Sequence, residues 1–377
     1  MDLSFIFPCL NEEKTILTAV GELEAVLDSM NVSAEIIISD NGSTDNSVAL
    51  AESLGGRVVL VHAEQKGYGE ALKKGFEKAK GKYIAFADID CSYPLEYLSE
   101  MYRKITEDDS DMVIASRMTG KIEKGAMPFL HRYLGTPVLT IIINLLFGGK
   151  LSDCNSGFRI FKKEAFREWN VNSSGMEFAS ELLIKALKNK AKIAEIPAGL
   201  RVDKRGHASH LKTWRDGMRH LLHILSEAPD FFEKFGLFLI GVSTVLEVFS
   251  MMSGVVQWGK VVFFDYHSKL ILLGMMILGV HFYLFSISLY ALKPKEKPLL
   301  ITKRLLSLSE EALFAVCVVC VLCAIAGLGG FISFWASNAF HGIVVIRPLL
   351  DIMYWLLSVL LFSFGLVQVH LVKKIQK

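Results

Sequence analysis

Four long apolar stretches in the last third of the chain restrict its possible folds more than any other feature. They cover residues 235–257, 270–292, 312–335 and 352–372. Each reaches the roughly 20 residues that an α-helix needs to cross a lipid bilayer. The bilayer core offers no water to backbone N–H and C=O groups, so such stretches fold as helices. The sequence therefore predicts a membrane domain with four transmembrane helices at residues 231–377, preceded by a separate domain at residues 1–230.

Basic residues near the predicted helices indicate the orientation of this membrane domain. Lysine and arginine concentrate after the second and the fourth helix and are scarce in the other two loops. Basic loops stay on the cytoplasmic side of a membrane. With four spans, we expect both termini and the whole of residues 1–230 on the cytoplasmic side of the plasma or inner membrane. Scattered cysteines in that part, Cys9, Cys91 and Cys154, agree with a reducing compartment.

Short β-branched runs alternate with amphipathic segments over the first 120 residues. Strands are predicted at 3–9, 34–39, 57–62, 82–87 and 111–116, and helices at 12–29, 45–54, 69–80 and 94–106. This alternation is typical of a Rossmann-like, doubly wound α/β sheet with mostly parallel strands. In such a sheet, ligands bind at the edge where the carboxyl ends of the strands meet. We therefore expect the functional site in the loops that follow these strands.

Two aspartates, Asp88 and Asp90, directly follow the fourth predicted strand. Carboxylate oxygens this close together suit a hard divalent cation, and a metal held there would bind a diphosphate. The alternative is a loop whose aspartates only cap the next helix. The two aspartates alone do not distinguish a metal site from a helix cap, so the motifs around them are needed.

Residues 67–69 (Gly-Tyr-Gly) resemble the start of a dinucleotide-binding loop. The third glycine and the correctly spaced acidic residue of that motif are missing. The sequence also lacks a Walker loop and an H-E-x-x-H zinc motif. It therefore argues against a nicotinamide or flavin site.

A basic segment precedes the first apolar stretch. Six arginines and lysines lie between residues 201 and 219, against two aspartates. Arginine side chains bind phosphate oxygens in a fork geometry. A basic segment beside a bilayer also attracts anionic lipid head groups. Both roles are open on this evidence, and no nucleic-acid partner is predicted.

Four motifs, in order along the first ninety residues, resemble those of family 2 glycosyltransferases with the GT-A fold. They are residues 7–12 (Phe-Pro-Cys-Leu-Asn-Glu), 39–45 (Ser-Asp-Asn-Gly-Ser-Thr-Asp), 66–69 (Lys-Gly-Tyr-Gly) and 87–90 (Ala-Asp-Ile-Asp). Residues 115–117, 153–159, 175–181 and 201–219 resemble the dolichol-phosphate mannose synthase and polyprenyl-phosphate glycosyltransferase branch. Residues 125–128 and 213–217 resemble a dolichol-phosphate-glucose-synthetase-like bacterial subgroup. The resemblance covers residues 1 to about 225.

The resemblance implies a nucleotide-sugar donor, a UDP- or GDP-hexose, and a bound Mg²⁺ or Mn²⁺ ion. Asp90 and Asp88 would hold the metal, which acts as a Lewis acid on the leaving diphosphate. Asp88 would also contact the nucleotide. In the alternative interpretation, Asp40 only stabilises the turn that follows its strand, and Glu12 only begins the first helix, where acidic residues are favourable. The residues expected to bind the donor are Pro8, Glu12, Asp40, Lys66 and Asp88.

The resemblance also implies a polyprenyl phosphate acceptor, undecaprenyl or dolichyl. Its phosphate is largely anionic near neutral pH and can attack the sugar without a strong base. We therefore expect a single displacement with inversion. Arg215 and Arg219 are expected to face membrane lipids. The residues expected to bind the acceptor phosphate are Arg117, Arg132, Arg205 and Lys212, and those expected to be catalytic are Asp90, Arg117 and Arg205.

A hydroxyl acceptor is the alternative, as in membrane polysaccharide or glycolipid synthases of the same fold. Glu181, on a helix near the pocket in the family pattern, would then be the candidate base. Polysaccharide synthases carry a Q-x-x-R-W motif before their channel helices, and this chain has none. The sequence therefore favours a lipid phosphate. It does not decide the oligomeric state, and a homo-oligomer is one alternative.

Two features concern the membrane more directly. Residues 130–147 are apolar and begin with His131 and Arg132, which fits either an interfacial helix that guides the lipid or a buried core helix. Glu247 and His281 are ionisable residues at similar depth in the first two predicted spans. We predict that they pair.

Overall fold

The computed structural model of the protein describes residues 1–206, 213–259, 261–293, 296–337 and 346–375. It contains two compact units, Met1–Glu227 and Ala228–Lys377. The first unit is an α/β domain. The second unit consists of helices and a small two-stranded sheet.

The first unit is built on a seven-stranded sheet with the order β3-β2-β1-β4-β6-β5-β7. Strand β6 runs antiparallel to β4 and β5, and the other pairs are parallel. All five predicted strands are present, which confirms the mostly parallel doubly wound sheet. Two strands that were not predicted, β6 and β7, complete it. The strands are β1 (Leu3–Cys9), β2 (Ala34–Asp40), β3 (Val58–His62), β4 (Tyr83–Phe86), β5 (Met112–Ser116), β6 (Arg159–Lys162) and β7 (Ile193–Pro197).

Eight α-helices and one π-helical turn connect these strands in the described part of the unit. The first helix begins at Ile16 and not at Glu12, because residues 12–15 form a turn. In that turn the Thr15 N–H donates to the Glu12 carbonyl at 3.0 Å. The helices are α1 (Ile16–Met30), α2 (Ser47–Leu54), α3 (Tyr68–Lys78), α4 (Tyr97–Glu107), α5 (Thr136–Phe147), α6 (Lys163–Trp169), α7 (Phe178–Lys188) and α8 (Thr213–Ser226), and the π-helical turn is His131–Gly135.

The sheet is buried on both faces. Along β1, Phe5 and Phe7 pack into the core that lies against α1 and α4, whereas Ile6 packs into the core against α3 and α7. A strand covered on both sides has no polar face, which explains why β1 reads as a continuous apolar run. This packing holds the carboxyl ends of the central strands in place.

The second unit contains four helices that are long and apolar enough to cross a membrane, in agreement with the four predicted spans. Each helix extends past the predicted stretch at one or both ends, but the first ends at Ser253 and not at residue 257, because residues 256–258 form a strand. The elements are α9 (Pro229–Ser253), β8 (Val256–Trp258), β9 (Val261–Phe263), α10 (Tyr266–Leu292), α11 (Leu300–Leu306), α12 (Glu310–Ser337) and α13 (Ile346–Ile375).

The predicted pair of Glu247 and His281 is wrong. The Glu247 Oε1 atom accepts a hydrogen bond from Lys269 Nζ at 3.1 Å, and both side chains are 1% exposed. Lys269 also pairs with Asp351 of α13. The His281 ring lies 2.8 Å from the Ile277 carbonyl of its own helix and is exposed. Equal depth does not make two residues neighbours, because the rotation of each helix about its axis decides which side chains meet.

Candidate active site

The carboxyl ends of β1 to β4 surround a cavity of ≈ 440 Å³. Of the residues predicted to bind the donor, Pro8, Glu12, Lys66 and Asp88 line this cavity. Arg205 of the basic segment lines it as well. The loops after four different strands thus converge on one pocket, as the parallel sheet predicts.

Asp40, at the end of β2, is held by its own turn. Its carboxylate accepts hydrogen bonds from the Gly42 N–H at 3.0 Å and the Ser43 N–H at 3.1 Å, and His62 Nδ1 lies 3.3 Å away. Burial raises the pKa of Asp40, but the hydrogen bonds from Ser43, Gly42 and His62 outweigh it and lower the pKa overall. Asp40 therefore stabilises the turn and is not among the described residues in the cavity wall, and its contact with the donor stays a prediction.

Asn41 belongs to the site although the sequence did not single it out. Its Oδ1 accepts the Gly67 N–H at 2.7 Å, and its Nδ2 donates to the Gln65 carbonyl at 3.0 Å. Asn41 thus joins the loop after β2 to the loop after β3. The signals in the sequence were its place next to a strand-end aspartate and within the motif at residues 39–45.

Asp88 is a carboxyl group of the pocket whose pKa is raised. Burial, and next the negative charge of Asp90, raise the pKa of Asp88 to about 7. The Tyr68 hydroxyl donates to Asp88 Oδ1 at 3.2 Å. The loop before β6 approaches so closely that a Cβ on Gly157 would lie 2.6 Å from Asp88 Oδ2. Only glycine fits there without a shift.

The two aspartates do not cap the following helix, since α4 begins at Tyr97 with Glu96 as its N-cap. The Asp90 carboxylate accepts the Ser92 N–H at 2.9 Å. In the part of the chain that the structure describes, no group of three or more His, Cys, Asp and Glu side chains is arranged around a metal site. Mg²⁺ is usually held by one or two carboxylates together with water and substrate phosphates. Two carboxylates at the end of one strand therefore fit such an ion.

Arg205 lies with the acidic residues of the donor pocket. Its guanidinium pairs with Asp90, and its Nη1 lies 3.8 Å from Glu12 Oε1. The backbone fixes this contact, since the Lys204 N–H donates to the Asp90 carbonyl at 3.0 Å. The start of the basic segment thus covers the loop that carries the two aspartates.

Arg117 is held in a different way. It makes two hydrogen bonds of 2.8 Å with the fully buried Asp153, one from Nε and one from Nη2. Burial raises the pKa of Asp153, but the charge and hydrogen bonds of Arg117 outweigh it and lower the pKa. Burial, and next the charge of Arg117, lower the pKa of His131 in the π-helical turn.

The remaining predicted acceptor residues are less well placed. Arg132 is half-buried, with its guanidinium 5.4 Å from the centre of the Tyr133 ring. Arg215 and Arg219, which were expected to face membrane lipids and not the acceptor phosphate, are exposed on α8. Lys212 lies outside the described residues.

Glu181, the candidate base for a hydroxyl acceptor, is 4% exposed. Its Oε2 accepts the backbone N–H groups of Asn172 at 3.1 Å and Ser173 at 2.6 Å. These bonds orient the carboxylate toward a loop of its own unit. They indicate a structural role in place of proton transfer.

Helix α5 has two distinct faces. Leu139 and Ile143 are buried in the core that also contains residues of α3 and α7, whereas Ile141 and Leu145 are 64% and 69% exposed. Phe129, just before the π-helical turn, is 73% exposed. The segment is therefore not a buried core helix, and its exposed apolar face agrees with the interfacial alternative.

Residues 4–169 match the family model described as glycosyl transferase family 2. The chain is 35% identical over 251 residues to the low-salt glycan biosynthesis hexosyltransferase Agl6 of Haloferax volcanii, covering 66% of this chain and 60% of that protein. It is 30% identical over 200 residues to a dolichyl-phosphate hexose transferase of the same organism, covering 52% and 81%. It is 31% identical over 214 residues to the UDP-N-acetylglucosamine--dolichyl-phosphate N-acetylglucosaminyltransferase of Methanococcus voltae, covering 51% and 82%.

The fold, the site and these matches define a glycosyltransferase. The chain belongs to glycosyl transferase family 2. The resemblance to this family and to its dolichol-phosphate branch is confirmed, whereas the narrower bacterial subgroup stays a prediction. The chain spans 60% of the length of the Agl6 hexosyltransferase.

Solved structures share the fold. The crystal structure of a mycobacterial protein superposes with a TM-score of 0.50 at 21% identity, covering 60% of this chain and 74% of that chain. Glucosyl-3-phosphoglycerate synthase from Mycobacterium tuberculosis, crystallised with Mn²⁺ and UDP-glucose, superposes with a TM-score of 0.48 at 22% identity, covering 60% and 79%. At this identity the likeness concerns the fold alone. The family match and the sheet confirm the predicted GT-A class.

Proposed function

We propose that this protein transfers a hexose from a nucleotide-diphosphate sugar to a polyprenyl phosphate at the cytoplasmic face of the membrane. The observation that carries this proposal is the strand-end cavity of ≈ 440 Å³, with Asp88 and Arg205 in its wall and Asp90 beside them. It has the size of a small-molecule site and brings acidic and basic groups together. Relatives named for transfer to dolichyl phosphate support the acceptor class.

The donor half of the proposal uses the paired carboxylates. Asp88 and Asp90 would hold Mg²⁺ or Mn²⁺, and the bound ion would supply Lewis-acid stabilisation of the leaving diphosphate. Lys66 lines the same cavity and adds a cation for the phosphate oxygens. Arg205 must leave Asp90 when that carboxylate takes up a cation, and its guanidinium can then bind a phosphate group.

The acceptor half uses Arg117. Its bidentate pairing with Asp153 fixes the guanidinium in one orientation, so little entropy is lost when it binds a phosphate oxygen. We also assign Arg132 and Lys212 to this phosphate. The nucleophile is an anion that needs no strong base, and Glu181 already accepts two backbone N–H groups. A single inverting displacement follows from this chemistry.

The location of the reaction rests on the membrane helices and on α5. We propose a catalytic domain at residues 1–230 on the cytoplasmic side, followed by a membrane domain at residues 231–377. The exposed apolar face of α5 supports contact with lipid, since Ile141 and Leu145 otherwise remain in water.

The test is to incubate membranes that contain the protein with a panel of UDP- and GDP-hexoses, polyprenyl phosphate and Mg²⁺ or Mn²⁺. Mass spectrometry should detect a polyprenyl-phosphate hexose from at least one donor, and NMR should show an inverted anomeric centre. Asp90→Asn should remove the product, whereas Glu168→Ala, an exposed carboxylate on α6, should not. A product in which the hexose is attached only to hydroxyl groups would overturn the proposal.

A further inference from the structure

The Glu181 side chain forms two hydrogen bonds with a loop of its own unit. The loop at residues 171–177 joins α6 to α7, and the Glu181 carboxylate accepts the N–H groups of Asn172 and Ser173 at 3.1 and 2.6 Å. Hydrogen bonds to a buried carboxylate are about twice as strong as bonds between neutral groups. Lys73 makes a further tie, since its Nζ donates to the Asn172 carbonyl at 3.0 Å. The first half of the loop is therefore held firmly.

The same loop caps the first turn of α3. The Ser174 carbonyl accepts the N–H groups of Gly69 at 2.9 Å and Glu70 at 3.3 Å, which have no partner inside the helix. The backbones touch, because a Cβ on Gly67 would lie 2.1 Å from the Ser174 oxygen. A Cβ on Gly69 would lie 2.3 Å from the Ser173 oxygen. Glycine at both positions permits this close approach.

The turn that the loop contacts forms part of the donor cavity. Lys66, Gly67 and Tyr68 line the cavity, and Met176 of the loop lines it from the other side. Tyr68 also donates to Asp88. A continuous set of contacts thus runs from Glu181 through the loop and the turn to the cavity wall.

We infer that Glu181 is a positioning residue of the donor site, which holds loop 171–177 against turn 66–69 and so determines where Lys66 and Met176 stand in the cavity. This inference rests on the proposed function, because it takes the cavity as the site of the nucleotide-sugar. Both hydrogen bonds are made to one carboxylate oxygen, Oε2, so an amide oxygen can replace it. Glu181→Gln therefore keeps an acceptor for both N–H groups and removes only the charge.

The experiment compares the full-length protein with Glu181→Gln and Glu181→Ala, with Glu168→Ala as a matched control on α6. Binding of the donor that the membrane assay identifies is measured by calorimetry in the presence of Mg²⁺, and KM and kcat are measured separately. Glu181→Ala should weaken donor affinity and raise donor KM on the order of tenfold, with kcat within about threefold, because two charge-assisted hydrogen bonds are lost. Glu181→Gln and Glu168→Ala should stay within about threefold of the wild type on the same scale.

Amide hydrogen exchange gives a readout that is independent of the reaction. The N–H groups of Asn172 and Ser173 should exchange faster in Glu181→Ala than in the wild type and should remain protected in Glu181→Gln. If Glu181→Ala does not fold, Lys73→Met replaces it, since that change removes the other tie to Asn172 and should weaken donor binding in the same direction.

Two results would overturn the inference. One is unchanged donor affinity in Glu181→Ala, or in Lys73→Met if that variant replaces it. The other is a loss of kcat in Glu181→Gln with unchanged donor KM, which would identify a base. A wild-type protein that binds none of the nucleotide-sugars contradicts the proposed function itself, so the two failures can be told apart.

Discussion

At the residue scale, the charge of Asp88 depends on pH within the physiological range. Burial, and next the neighbouring Asp90, raise the pKa of Asp88 to about 7, well above its ordinary value of 3.8. The folded protein therefore binds this proton more tightly than the unfolded chain does. The stability that comes from the protonated form is present at low pH and is lost as the pH rises through about 7.

A divalent cation has to displace this proton, so metal binding should depend on pH. Below pH 7, we expect Mn²⁺ affinity to rise by up to about tenfold per pH unit and to level off above it. Calorimetric titration with Mn²⁺ from pH 5.5 to 8.5 in the absence of donor tests this. Asp88→Asn should bind the ion more weakly and with little dependence on pH. An affinity that is constant over this range in the wild type would contradict the prediction.

Asp153 should affect acceptor binding because it orients the Arg117 guanidinium. Asp153→Asn removes the anion that orients the guanidinium and leaves a charge in a poorly solvated position. We expect a clear drop in melting temperature and an increase in the KM for polyprenyl phosphate on the order of tenfold, with donor KM nearly unchanged. Arg117→Lys should raise the acceptor KM in the same way, since lysine lacks the fork geometry. A selective effect on donor KM would show that this pair serves the other substrate.

At the scale of elements, one lysine connects three of the helices that are long enough to cross a membrane. Lys269 of α10 pairs with Glu247 of α9 and with Asp351 of α13. Buried ion pairs contribute little net stability, but removal of one partner is costly because the other charges remain buried. The contact therefore serves to select the packing of the helices more than to strengthen it.

Lys269→Met should accordingly destabilise the protein by about 3–5 kcal/mol, and the triple change Lys269→Met, Glu247→Gln and Asp351→Asn should recover most of that loss. Thermal unfolding in detergent measures both. His281→Ala is the control and should have a small effect, because His281 is exposed. If the triple variant is as unstable as Lys269→Met alone, the unpaired buried charges are not the cause of the destabilisation.

At the scale of the whole molecule, the distribution of basic loops predicts one orientation. Green fluorescent protein fused to the C-terminus should fluoresce, since it folds in the cytoplasm, and alkaline phosphatase inserted in the loop between β8 and β9 should be active, since it needs the opposite side. The reciprocal fusions serve as controls and should be inactive. Fluorescence from the β8–β9 fusion, with none from the C-terminal fusion, would show the opposite orientation. It would contradict the proposal that the catalytic domain lies on the cytoplasmic side.

Much of the architecture was predictable because it depends on local pattern. Strands β1 to β5 have apolar runs of the right length, and the four spans are long enough to be recognised by composition alone. The positions of Asp40, Asp88 and Asp90 at strand ends follow from the same pattern, since a parallel sheet brings its strand ends to one edge. Local pattern therefore predicts the fold class, the sheet edge at which the candidate site lies and the number of candidate membrane spans.

Which residues contact one another depends on the packing of segments that are distant in the chain. Insertion of β6 between β4 and β5 brings Gly157 against Asp88 and Asp153 against Arg117. Antiparallel pairing across a long connection leaves no periodic mark in the sequence, so these contacts were not predicted. The rotation of a helix about its axis also leaves no mark in the sequence. For this reason Glu247 was predicted to pair with His281, whereas in the structure it pairs with Lys269. Local periodicity specifies which face of an element is buried, but the partner on that face depends on packing between segments distant in the chain.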